Sequence, residues 1–542
     1  MKAWLFSQPP EQYARPRIPH LPIPTDRTTQ SSIPHSHLHP RLAAAAAPIP
    51  DSQNTTAPSL IGAPHAGPPL PPKPVFAPST HSAHIDGGNT RTSDYAGPLG
   101  LSPRVSSTTT PATTLFWEEA DAANSSYVLA SLLCPTATTP IAFCLAALAA
   151  DTLAPLARWT SGPNRTAISN YWHVGAGRAL IPTAQGVIAL VEFVPSAPTF
   201  RIAREWDVSA TLAPGSLIVT VGFDGADNLW FTTTTSTPLL GVPGTNSSSV
   251  AYVPAGGDGG VVHALELADA LVENGMAVNG RTAYVVTGPA GARDGANATG
   301  NFYAVQADGA GGVAVVYNET YGAGSAVKPG GLSRGSGSSV SLLGEKFVAI
   351  TDNADERVNL LVYRQTEGGV GEGESALVCA YPLFAPNASA NEASLTTYYD
   401  GETYSAMISN CYNSPFSLEG GSDVNGPQNN FSGMAPGVAR IDVSEDGVCS
   451  FAWELPVRAT QMTTLSTGSG LFYVYTQDEE LASQGQYVWY VAAYDFTTGE
   501  EAWRARMGAG GSYHPGVSHI HLGPNGRIYE GVHGGMAWME DS

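Results

Sequence analysis

The feature that most constrains the fold is a recurring phrase in which an acidic or Asn-Gly turn precedes a β-rich strand. Its copies are "FDGADNLWFTT" (223–233), "VNGRTAYVVTG" (278–288), "LLGEKFVAITD" (342–352), "GSGLFYVYTQD" (468–478) and "GPNGRIYEGV" (523–532). Glycine supplies positive φ in each turn, and alternating Val, Ile, Tyr and Trp give the strand a buried face. The copies stand roughly 50 to 120 residues apart, so the pattern predicts an all-β fold made by repeating small sheets.

The repeat length indicates how many sheets there are. The chain has 542 residues, of which 59 are Gly and 42 Pro, and such frequent turn residues suit short strands rather than long helices. At about 60 residues per sheet, the spacing favours a β-propeller of seven four-stranded blades, with six to eight allowed. The rival architecture is a pair of β-sandwiches, which would not require a tryptophan wedge such as the one near the C-terminus described below.

The two parts of the chain differ in composition. Residues 1–80 are rich in Pro, Ser, Thr, His and Ala, with "GPPLPPKP" and "RLAAAAAP", and they lack a sustained apolar period. This composition predicts a disordered leader, or an extension that does not belong to the mature protein. Residues 81–542 are predicted to form a single propeller domain.

The charge balance excludes some partners. Only 13% of residues are charged, yet the net charge is −21, and phosphate binding needs a basic face. We therefore expect no nucleic-acid partner and no anionic membrane surface. The longest apolar run, residues 141–150, is too short to span a bilayer. We expect a monomer whose partner is a small molecule or a saccharide.

The cysteines and the glycosylation sequons favour an oxidising compartment. Five cysteines show no zinc spacing and suggest bridges Cys134–Cys144 and Cys379–Cys411, with Cys449 free. The Asn-x-Ser/Thr sequons stand at Asn54, Asn124, Asn164, Asn246, Asn297, Asn318, Asn387 and Asn430. Secretion or residence in the secretory lumen is the prediction, and a cytosolic protein with five buried thiols is the alternative. After Met1 and Lys2 only "AWLF" is apolar, which is too short for the core of a signal peptide.

One stretch, "AAYDFTTGEEAW" (492–503), has the spacing Ala-x-Asp-x-x-x-x-Gly-x-x-x-Trp. It resembles the tryptophan docking motif of quinoprotein-type (PQQ-like) β-propellers, in which each Trp wedges against the next blade. From about His84 onward the chain resembles a group of secreted PQQ-like propeller proteins of bacteria and fungi. The matching stretches are "SDYAGPLG" (93–100), "YWHVGAGRALIPT" (171–183), "KPGGLSRGSGSS" (328–339), "VAITDNADERVNLLVYR" (348–364), "PGVARIDV" (436–443) and "LSTGSGLFYVYT" (465–476).

The resemblance implies a fold rather than a reaction. The chain departs from the group at "AHIDGGN" (83–89), where a His-Asn-Asp triplet is expected, and at "SNCYNSP" (409–415), where an Asn-Asn pair followed by Tyr-Gly-Tyr is expected. Quinoprotein alcohol dehydrogenases also commonly carry a vicinal Cys-Cys, which this sequence lacks. No cofactor is therefore expected, and PQQ or calcium is the lower-ranked alternative.

Oxygen-bearing side chains cluster in "TDNAD" directly after a strongly β stretch. Asp352 is a candidate general base, and Asn353 and Asp355 are candidate substrate-binding residues. The same oxygens could hold Ca²⁺, and an Asx-turn that caps the strand is the structural alternative. Arg357 is a candidate for gripping a substrate carboxylate, with salt bridging as its alternative role.

Histidines supply the other candidates. His173 follows Tyr171 and Trp172, an arrangement typical of a stacking platform beside a proton carrier, although a hydrogen-bonded core histidine has the same pattern. His514 is a third catalytic candidate. His519 and His521 would share one strand face and are assigned to substrate binding; no metal site is predicted, because no third ligand stands at a matching spacing.

Three functions remain open from the sequence. The first is a secreted, glycosylated enzyme without a resident cofactor that acts on a small organic or saccharide substrate in the central funnel. The analogy is with fungal natural-product pathways, where some propellers promote cyclisation or lyase-type chemistry by shaping a pocket. The second is a PQQ- or calcium-dependent oxidoreductase, and the third is a propeller that binds a ligand or a protein without catalysis.

Overall fold

The computed structural model describes residues 47–542 except 77–79, 118–125, 136–141, 160–165, 236–246, 296, 367, 372, 416–422 and 517. Within these residues the chain forms 35 strands and one short α-helix, Glu479–Ser483. Single 3₁₀ turns lie at Ser209–Thr211, Gly291–Arg293, Pro427–Asn429 and Gly511–Tyr513. The all-β prediction is confirmed.

The strands form eight antiparallel four-stranded blades, which we number in chain order. Blades 1 to 3 contain β4 (Ala112–Phe116), β5 (Tyr127–Leu133), β6 (Phe143–Ala149) and β7 (Pro155–Trp159); β8 (His173–Gly175), β9 (Arg178–Pro182), β10 (Val187–Val194) and β11 (Thr199–Asp207); and β12 (Leu217–Phe223), β13 (Leu229–Thr234), β14 (Ser247–Val253) and β15 (His263–Ala268). Blade 4 contains β17 (Ala277–Asn279), β18 (Thr282–Pro289), β19 (Thr299–Ala307) and β20 (Val313–Gly322), and β16 (Ala270–Leu271) also pairs with β18.

The remaining blades follow the same plan. Blades 5 and 6 contain β21 (Ser341–Leu343), β22 (Phe347–Thr351), β23 (Asn359–Arg364) and β24 (Leu377–Pro382), then β25 (Thr396–Tyr399), β26 (Tyr404–Ser409), β27 (Val438–Val443) and β28 (Cys449–Leu455). Blade 7 contains β29 (Thr464–Ser466), β30 (Leu471–Gln477), β31 (Val488–Asp495) and β32 (Glu501–Ala509), extended by β1 (Leu60–Gly62) outside and β2 (Thr92–Ser93) inside. Blade 8 contains β33 (His521–Leu522), β34 (Ile528–Val532), β35 (Gly535–Glu540) and β3 (Arg104–Thr108).

The blade count lies within the predicted range and is one above the favoured seven. Some blades are shorter than the assumed repeat, since blade 5 needs only residues 341–382. Blade 8 closes the ring, because its outermost strand β3 precedes blade 1 in the chain while its other three strands lie at the C-terminal end. This closure gives every blade two neighbours and leaves no free end in the ring.

The recurring phrases fall on the hairpins that join the first and second strands of blades. Gly280, Gly344 and Gly526 occupy such turns with φ of 57°, 60° and 73°. Blade 7 carries the tryptophan device: the Asp495 carboxylate accepts hydrogen bonds from the backbone N–H groups of Thr497 and Thr498, both at 2.9 Å. Trp503 is fully buried in a core that blades 7 and 8 share, so it does act as a wedge between blades.

The described part of the predicted leader, residues 47–76, is packed against the propeller, so the prediction of disorder is wrong there. Leu60–Gly62 pairs with blade 7, Ile49 is buried in the core between blades 7 and 8, and Phe76 is buried between blades 4 and 5. Local composition failed as a guide because this segment adds to a pre-existing sheet edge and core instead of forming its own. Residues 1–46 lie outside the described part.

The next stretch, residues 80–94, which we call the axial segment, bonds to the inner strands of several blades. The backbone N–H groups of Leu342, Thr397 and Leu465, on blades 5, 6 and 7, donate to its carbonyls. It also bridges to Val174 of blade 2, and its side chains donate to carbonyls that precede β17 and β33. Because inner strands surround the propeller axis, this segment crosses the central channel and closes it over part of its length.

Two disulfides are present, and one differs from the prediction. Cys134 and Cys144 pair within blade 1, with a Cα–Cα distance of 5.9 Å. Cys379 pairs with Cys449 at 6.2 Å, not with Cys411, because the two cysteines lie on the outer strands β24 and β28 of neighbouring blades. Cys411, in contrast, lies buried in a loop after β26 and is the free thiol.

Glycosylation stays a prediction. Asn297, Asn318 and Asn387 are exposed and Asn430 is partly buried, whereas Asn124, Asn164 and Asn246 lie outside the described residues. No helix in the described part of the chain has the length and apolarity needed to cross a bilayer.

Candidate functional site

A cavity of about 240 Å³ opens at the end of the propeller where the inner strands begin. We call it the funnel. Its wall consists mainly of loops that lead from the outer strand of one blade to the inner strand of the next, including residues 168–171, 272–274, 330–333 and 460–462. Seven blade junctions or inner strands can therefore contribute side chains to one place, which is how propellers assemble sites from residues distant in sequence.

The axial segment supplies the floor of the funnel. Ala83 and His84 line the cavity together with His519, which precedes the inner strand of blade 8. His84 Nε2 is hydrogen-bonded to Ser339 Oγ at 3.0 Å, and that hydroxyl also accepts a hydrogen bond from the Gly275 backbone N–H at 3.0 Å. The floor is thus fixed to two blade junctions.

Two carboxyl groups from different blades face the funnel and share one loop as their partner. Glu392 Oε1 accepts a hydrogen bond from the Leu332 backbone N–H at 2.8 Å. Glu273 Oε2 accepts a hydrogen bond from the hydroxyl of the adjacent residue, Ser333. Because residues 332 and 333 hold both groups, Glu273 and Glu392 are positioned as a pair, which we call the carboxyl pair.

Burial brings the pKa values of the carboxyl pair close to neutral pH. Desolvation raises the pKa of Glu273 to about 7, opposed by the Ser333 hydrogen bond. Desolvation likewise raises the pKa of Glu392 to about 8, and the negative charge of Glu273 raises it further, while the Leu332 and Ser333 backbone N–H groups oppose the shift. Groups that exchange protons near pH 7 are the ones suited to general acid–base catalysis.

Other ionisable groups of the funnel stay neutral. Burial raises the pKa of Tyr171, which is hydrogen-bonded to Ser339 and lies close enough to both glutamates to be affected by their charges. Cys411 lines the same wall, and burial raises the pKa of its thiol. Burial lowers the pKa of His84 to about 3 and that of His519 well below its usual range, with Arg91 adding to both effects.

Beneath the floor lies a second group of buried ionisable side chains, the axial cluster of Arg91, Glu530 and His521. Arg91 is fully buried and donates to Thr464 Oγ1 at 2.7 Å and to the Ile520 carbonyl at 2.9 Å. Burial lowers the pKa of Arg91 to about 9 against the opposing charges of Glu530 and Asp86, and burial raises the pKa of Glu530 well above its usual value. None of these three residues lines the funnel.

Of the residues predicted from sequence, the funnel brings together Tyr171 and His519. His521 lies in the axial cluster, with ring centroids 5.2 Å from His519, and its pKa is lowered by burial to about 3. Trp172 is fully buried and stacks on Phe116 in the core of blades 1 and 2. It therefore supports the loop that carries Tyr171 rather than facing the funnel.

The three predicted catalytic residues lie in three different places, and none is among the described residues that line the funnel. His173 Nδ1 is hydrogen-bonded to Thr80 Oγ1 at 2.8 Å, and burial lowers its pKa to about 4. His514 accepts a hydrogen bond from the Gly516 N–H at Nδ1 and stacks on His533, with burial lowering its pKa to about 3.

The "TDNAD" residues hold a turn together. Asp352 accepts hydrogen bonds from the backbone and side-chain nitrogens of Asn359, both at 2.7 Å, and burial raises its pKa. Asn353 donates to the Ala323 carbonyl. Asp355 accepts from the Ser325 N–H. This arrangement matches the Asx-turn alternative. The predicted substrate-binding residue Arg357 neighbours Glu454, whose pKa its charge lowers against the larger effect of burial.

Sequence reasoning missed Glu273, Glu392 and Cys411. A positional signal existed: Glu273 and Glu392 each stand four residues before the first residue of an inner strand, β17 and β25. Equivalent positions of a repeat point to the same end of a propeller. The signal could be used only after the inner strands were assigned, because "LVENG" and "ANEAS" carry no motif of their own.

A further cavity of about 310 Å³ lies between blades 6 and 7. Its charged residues are already in ion pairs, Arg458 with Glu479 and Arg504 with Glu501. It therefore offers no uncompensated charge to a ligand, unlike the funnel. In the described part of the chain, no group of three His, Cys, Asp or Glu side chains is arranged to hold a metal ion.

No protein-family model and no curated protein matches the sequence. Among solved structures, the chain is similar to quinohemoprotein alcohol dehydrogenase from Comamonas testosteroni, with 10% identity, a TM-score of 0.49, and coverage of 86% of this chain and 80% of that one. It is similar to a europium-containing methanol dehydrogenase with 12% identity, a TM-score of 0.45 and coverage of 84% and 89%. A puromycin-hydrolysing peptidase of Mycobacterium tuberculosis matches with 13% identity, a TM-score of 0.38 and coverage of 85% and 61%. These likenesses identify no reaction for this chain.

Proposed function

We propose that this protein is a general acid–base enzyme whose carboxyl pair, Glu273 and Glu392, transfers protons to and from a small organic substrate in the funnel. The supporting observation is that residues 332 and 333 hold two carboxyl groups from different blades beside one cavity. The raised pKa values give each group a substantial protonated fraction near pH 7. One carboxyl can then donate a proton while the other accepts one.

The pair fits hydrolytic, lyase-type or cyclisation chemistry. In these reactions one group gives a proton to the leaving group, and another takes a proton from a C–H bond or from the attacking group. Tyr171 is placed to donate a hydrogen bond to a substrate oxygen, since burial keeps its phenol protonated. Secretion, glycosylation and a monomeric state belong to the same proposal, supported by two disulfides and the exposed sequons. A role in a natural-product pathway is part of it.

The lining does not suit PQQ. That cofactor is a polycarboxylate, and the funnel presents two glutamates with no Lys or Arg among the described residues that line it. An anionic ring system would raise the pKa values of both glutamates further and would bind against their charge. No step through a quinone is therefore part of the proposal.

The titration of the carboxyl pair tests the proposal without knowledge of the substrate. Infrared difference spectra between pH 5 and pH 9 should show two carboxyl groups that lose protons near pH 7 and pH 8. Glu273→Gln and Glu392→Gln should each remove one of them, and Glu402→Gln, at an exposed turn, should remove neither. Titration of both groups near pH 4 to 5 would contradict the proposal.

Turnover provides the second test. A panel of aryl glycosides, aryl esters and β-hydroxy ketones would be assayed by mass spectrometry of the products. For any substrate that turns over, we expect either Gln variant to lower kcat/KM by about 10²- to 10⁴-fold, the usual contribution of one proton-transfer group. An unchanged kcat/KM in both variants would exclude the carboxyl pair from the chemistry.

A further inference from the structure

The charge that the funnel offers a ligand is of one sign. Glu273 and Glu392 are its acidic groups, and the described residues that line it include no Lys or Arg. The histidines of the floor, His84 and His519, are kept neutral by burial and by the charge of Arg91. A bound molecule thus meets two carboxyl groups and, among the lining residues that the structure describes, no cation.

Two basic residues flank the wall loop 330–333 in the chain, and both are occupied elsewhere. Lys328 donates to the Ala354 carbonyl at 2.6 Å and faces Asp352 and Asp355. Arg334 donates to Asp294 and to the Gly295 carbonyl. Neither is free to neutralise the carboxyl pair.

A large part of the funnel wall is apolar and aromatic. The apolar residues come from blades 1 and 3 and from the loops before blades 2, 4 and 7: Phe143, Leu217, Ile168, Val272 and Met462. The ring of Tyr171 lies in the same wall, with its centroid 5.7 Å from that of His84. Aromatic faces and apolar side chains beside a negative charge are the combination that binds organic ammonium groups.

We propose that the ligand of the funnel is an organic cation with an apolar body, whose ammonium group lies between Glu273 and Glu392 and whose apolar part packs on the wall. This inference rests on the proposed site and names its substrate class, an apolar amine or quaternary ammonium compound. A neutral sugar would leave the carboxyl charges uncompensated and would not use the apolar wall. An anion would be repelled.

The carboxyl pair links this binding to protons. Glu273 and Glu392 hold protons over much of the range up to pH 7 and pH 8, and a cation favours their charged forms. Binding at pH 7 should therefore release protons, and affinity should rise with pH until both groups are ionised. The other titratable groups that interact with the pair, Tyr171, Tyr321 and Cys411, stay protonated over this range because burial raises the pKa of each.

Calorimetry with benzyltrimethylammonium chloride tests the inference, because a quaternary ammonium has no proton of its own to lose. Benzyl alcohol and benzoate serve as neutral and anionic ligands with the same aromatic ring, and tetramethylammonium is a cation without that ring. We expect the aromatic cation to bind at least about tenfold more tightly than each of these and about tenfold more tightly at pH 8.5 than at pH 6. Titrations in phosphate and in Tris at pH 7 should differ by the heat of the released protons.

Variants separate the carboxyl pair from the rest of the protein. Glu273→Gln/Glu392→Gln should lower the affinity for the cation at pH 8.5 about tenfold or more, abolish proton release and leave benzyl alcohol binding unchanged. Glu402→Gln should behave as wild type. Equal affinities for the cation and the alcohol, or proton release that persists in the double variant, would overturn the inference.

The two proposals fail separately. If the cation does not bind but either Gln variant loses turnover of a neutral substrate, the ligand class is wrong and the acid–base function stands. If the cation binds with proton release but the Gln variants keep full turnover, the carboxyl pair binds without catalysing.

Discussion

The funnel and the axial cluster both bury carboxyl groups, yet they can do different things. Glu273 and Glu392 accept hydrogen bonds from a loop and border a cavity of about 240 Å³. Glu530 is fully buried below the floor, and neither carboxyl oxygen has a hydrogen-bond partner among the described residues. Burial raises the pKa in all three cases, so a raised pKa alone does not mark a reactive group. Access to a ligand separates the two regions.

The comparison also assigns a physical role to the axial cluster. Arg91 ties the axial segment to blades 7 and 8 by its side chain, and its carbonyl accepts a hydrogen bond from the Leu465 N–H. The segment that it fixes carries His84, the floor of the funnel. The axial cluster therefore maintains the shape of the site from below, whereas the carboxyl pair is the group to which we assign the proposed chemistry.

Replacing Arg91 should have the largest effect. Arg91→Met removes the hydrogen bonds of a fully buried guanidinium to Thr464 and Ile520, and hydrogen bonds to a charged group contribute about 1.5–3 kcal/mol each, so the unfolding free energy should fall by about 3–5 kcal/mol. Denaturant titration followed by tryptophan fluorescence measures it. Arg104→Met, at an exposed strand position, is the matched control. A midpoint equal to that of wild type would mean that Arg91 does not hold the axial segment.

Neutralising the carboxyl pair should stabilise the protein in alkali. When the pKa of a carboxyl group is higher in the folded state than in the unfolded state, the free energy of unfolding falls as pH rises from the unfolded pKa to the folded one. This range runs from 4.5 to about 7 for Glu273 and from 4.5 to about 8 for Glu392. Glu273→Gln/Glu392→Gln removes this loss. We expect a gain on the order of 2 kcal/mol at pH 8.5, discounted for solvent screening, and none at pH 4.

Unfolding midpoints of wild type and double variant at these two pH values check the expectation. A gain that is the same at both would show that it arises from packing rather than from titration.

Glu530→Gln should have a smaller effect, within about 1 kcal/mol at pH 7. Burial raises the pKa of Glu530 well above its usual value, so its carboxyl is neutral and an amide of the same shape replaces it closely. An ionised Glu530 paired with Arg91 would instead lose about 3–5 kcal/mol in the variant. The unfolding free energies of wild type and Glu530→Gln at pH 7 decide between these two charge states.

The smallest expected effect is the change in the alkylation rate of Cys411 when a ligand occupies the funnel. Its thiol lines the funnel but is buried with a raised pKa, so alkylation by N-ethylmaleimide in the folded protein should be slow. Benzyltrimethylammonium at twice its Kd should slow it by about threefold more. Mass spectrometry of the intact protein measures the rate. Protection that persists in Glu273→Gln/Glu392→Gln would place the ligand away from the carboxyl pair.

Much of the fold was predictable because its signals are local. The hairpins at Gly280, Gly344 and Gly526 need positive φ within a few residues of a strand, and glycine adopts it without strain. The spacing of Asp495, Gly499 and Trp503 likewise lies within one hairpin. The blade count was less certain, since blade lengths vary and the sequence gives no signal for where short blades such as residues 341–382 end.

Most of the site was not predictable in the same way. Of the predicted residues, Tyr171 and His519 line the funnel, each two residues before an inner strand. His173 is the first residue of such a strand and Asp352 follows the second strand of blade 5, and both are held in other contacts. Whether a residue beside an inner strand faces the funnel depends on how the loop before that strand is held against the neighbouring blades. The Cys379–Cys449 bridge was missed for a related reason, since it joins neighbouring blades rather than neighbouring positions in the chain.

The sequence by itself determined that this chain forms repeated antiparallel hairpins with a tryptophan wedge, because turn chemistry and strand alternation act over a few residues. Only the tertiary structure decided that Glu273 and Glu392 meet at one loop, and that residues 80–94 cross the axis beneath them. Such contacts exist only once the ring is closed. Their energies come from burial and from partners on other blades, which no local pattern encodes.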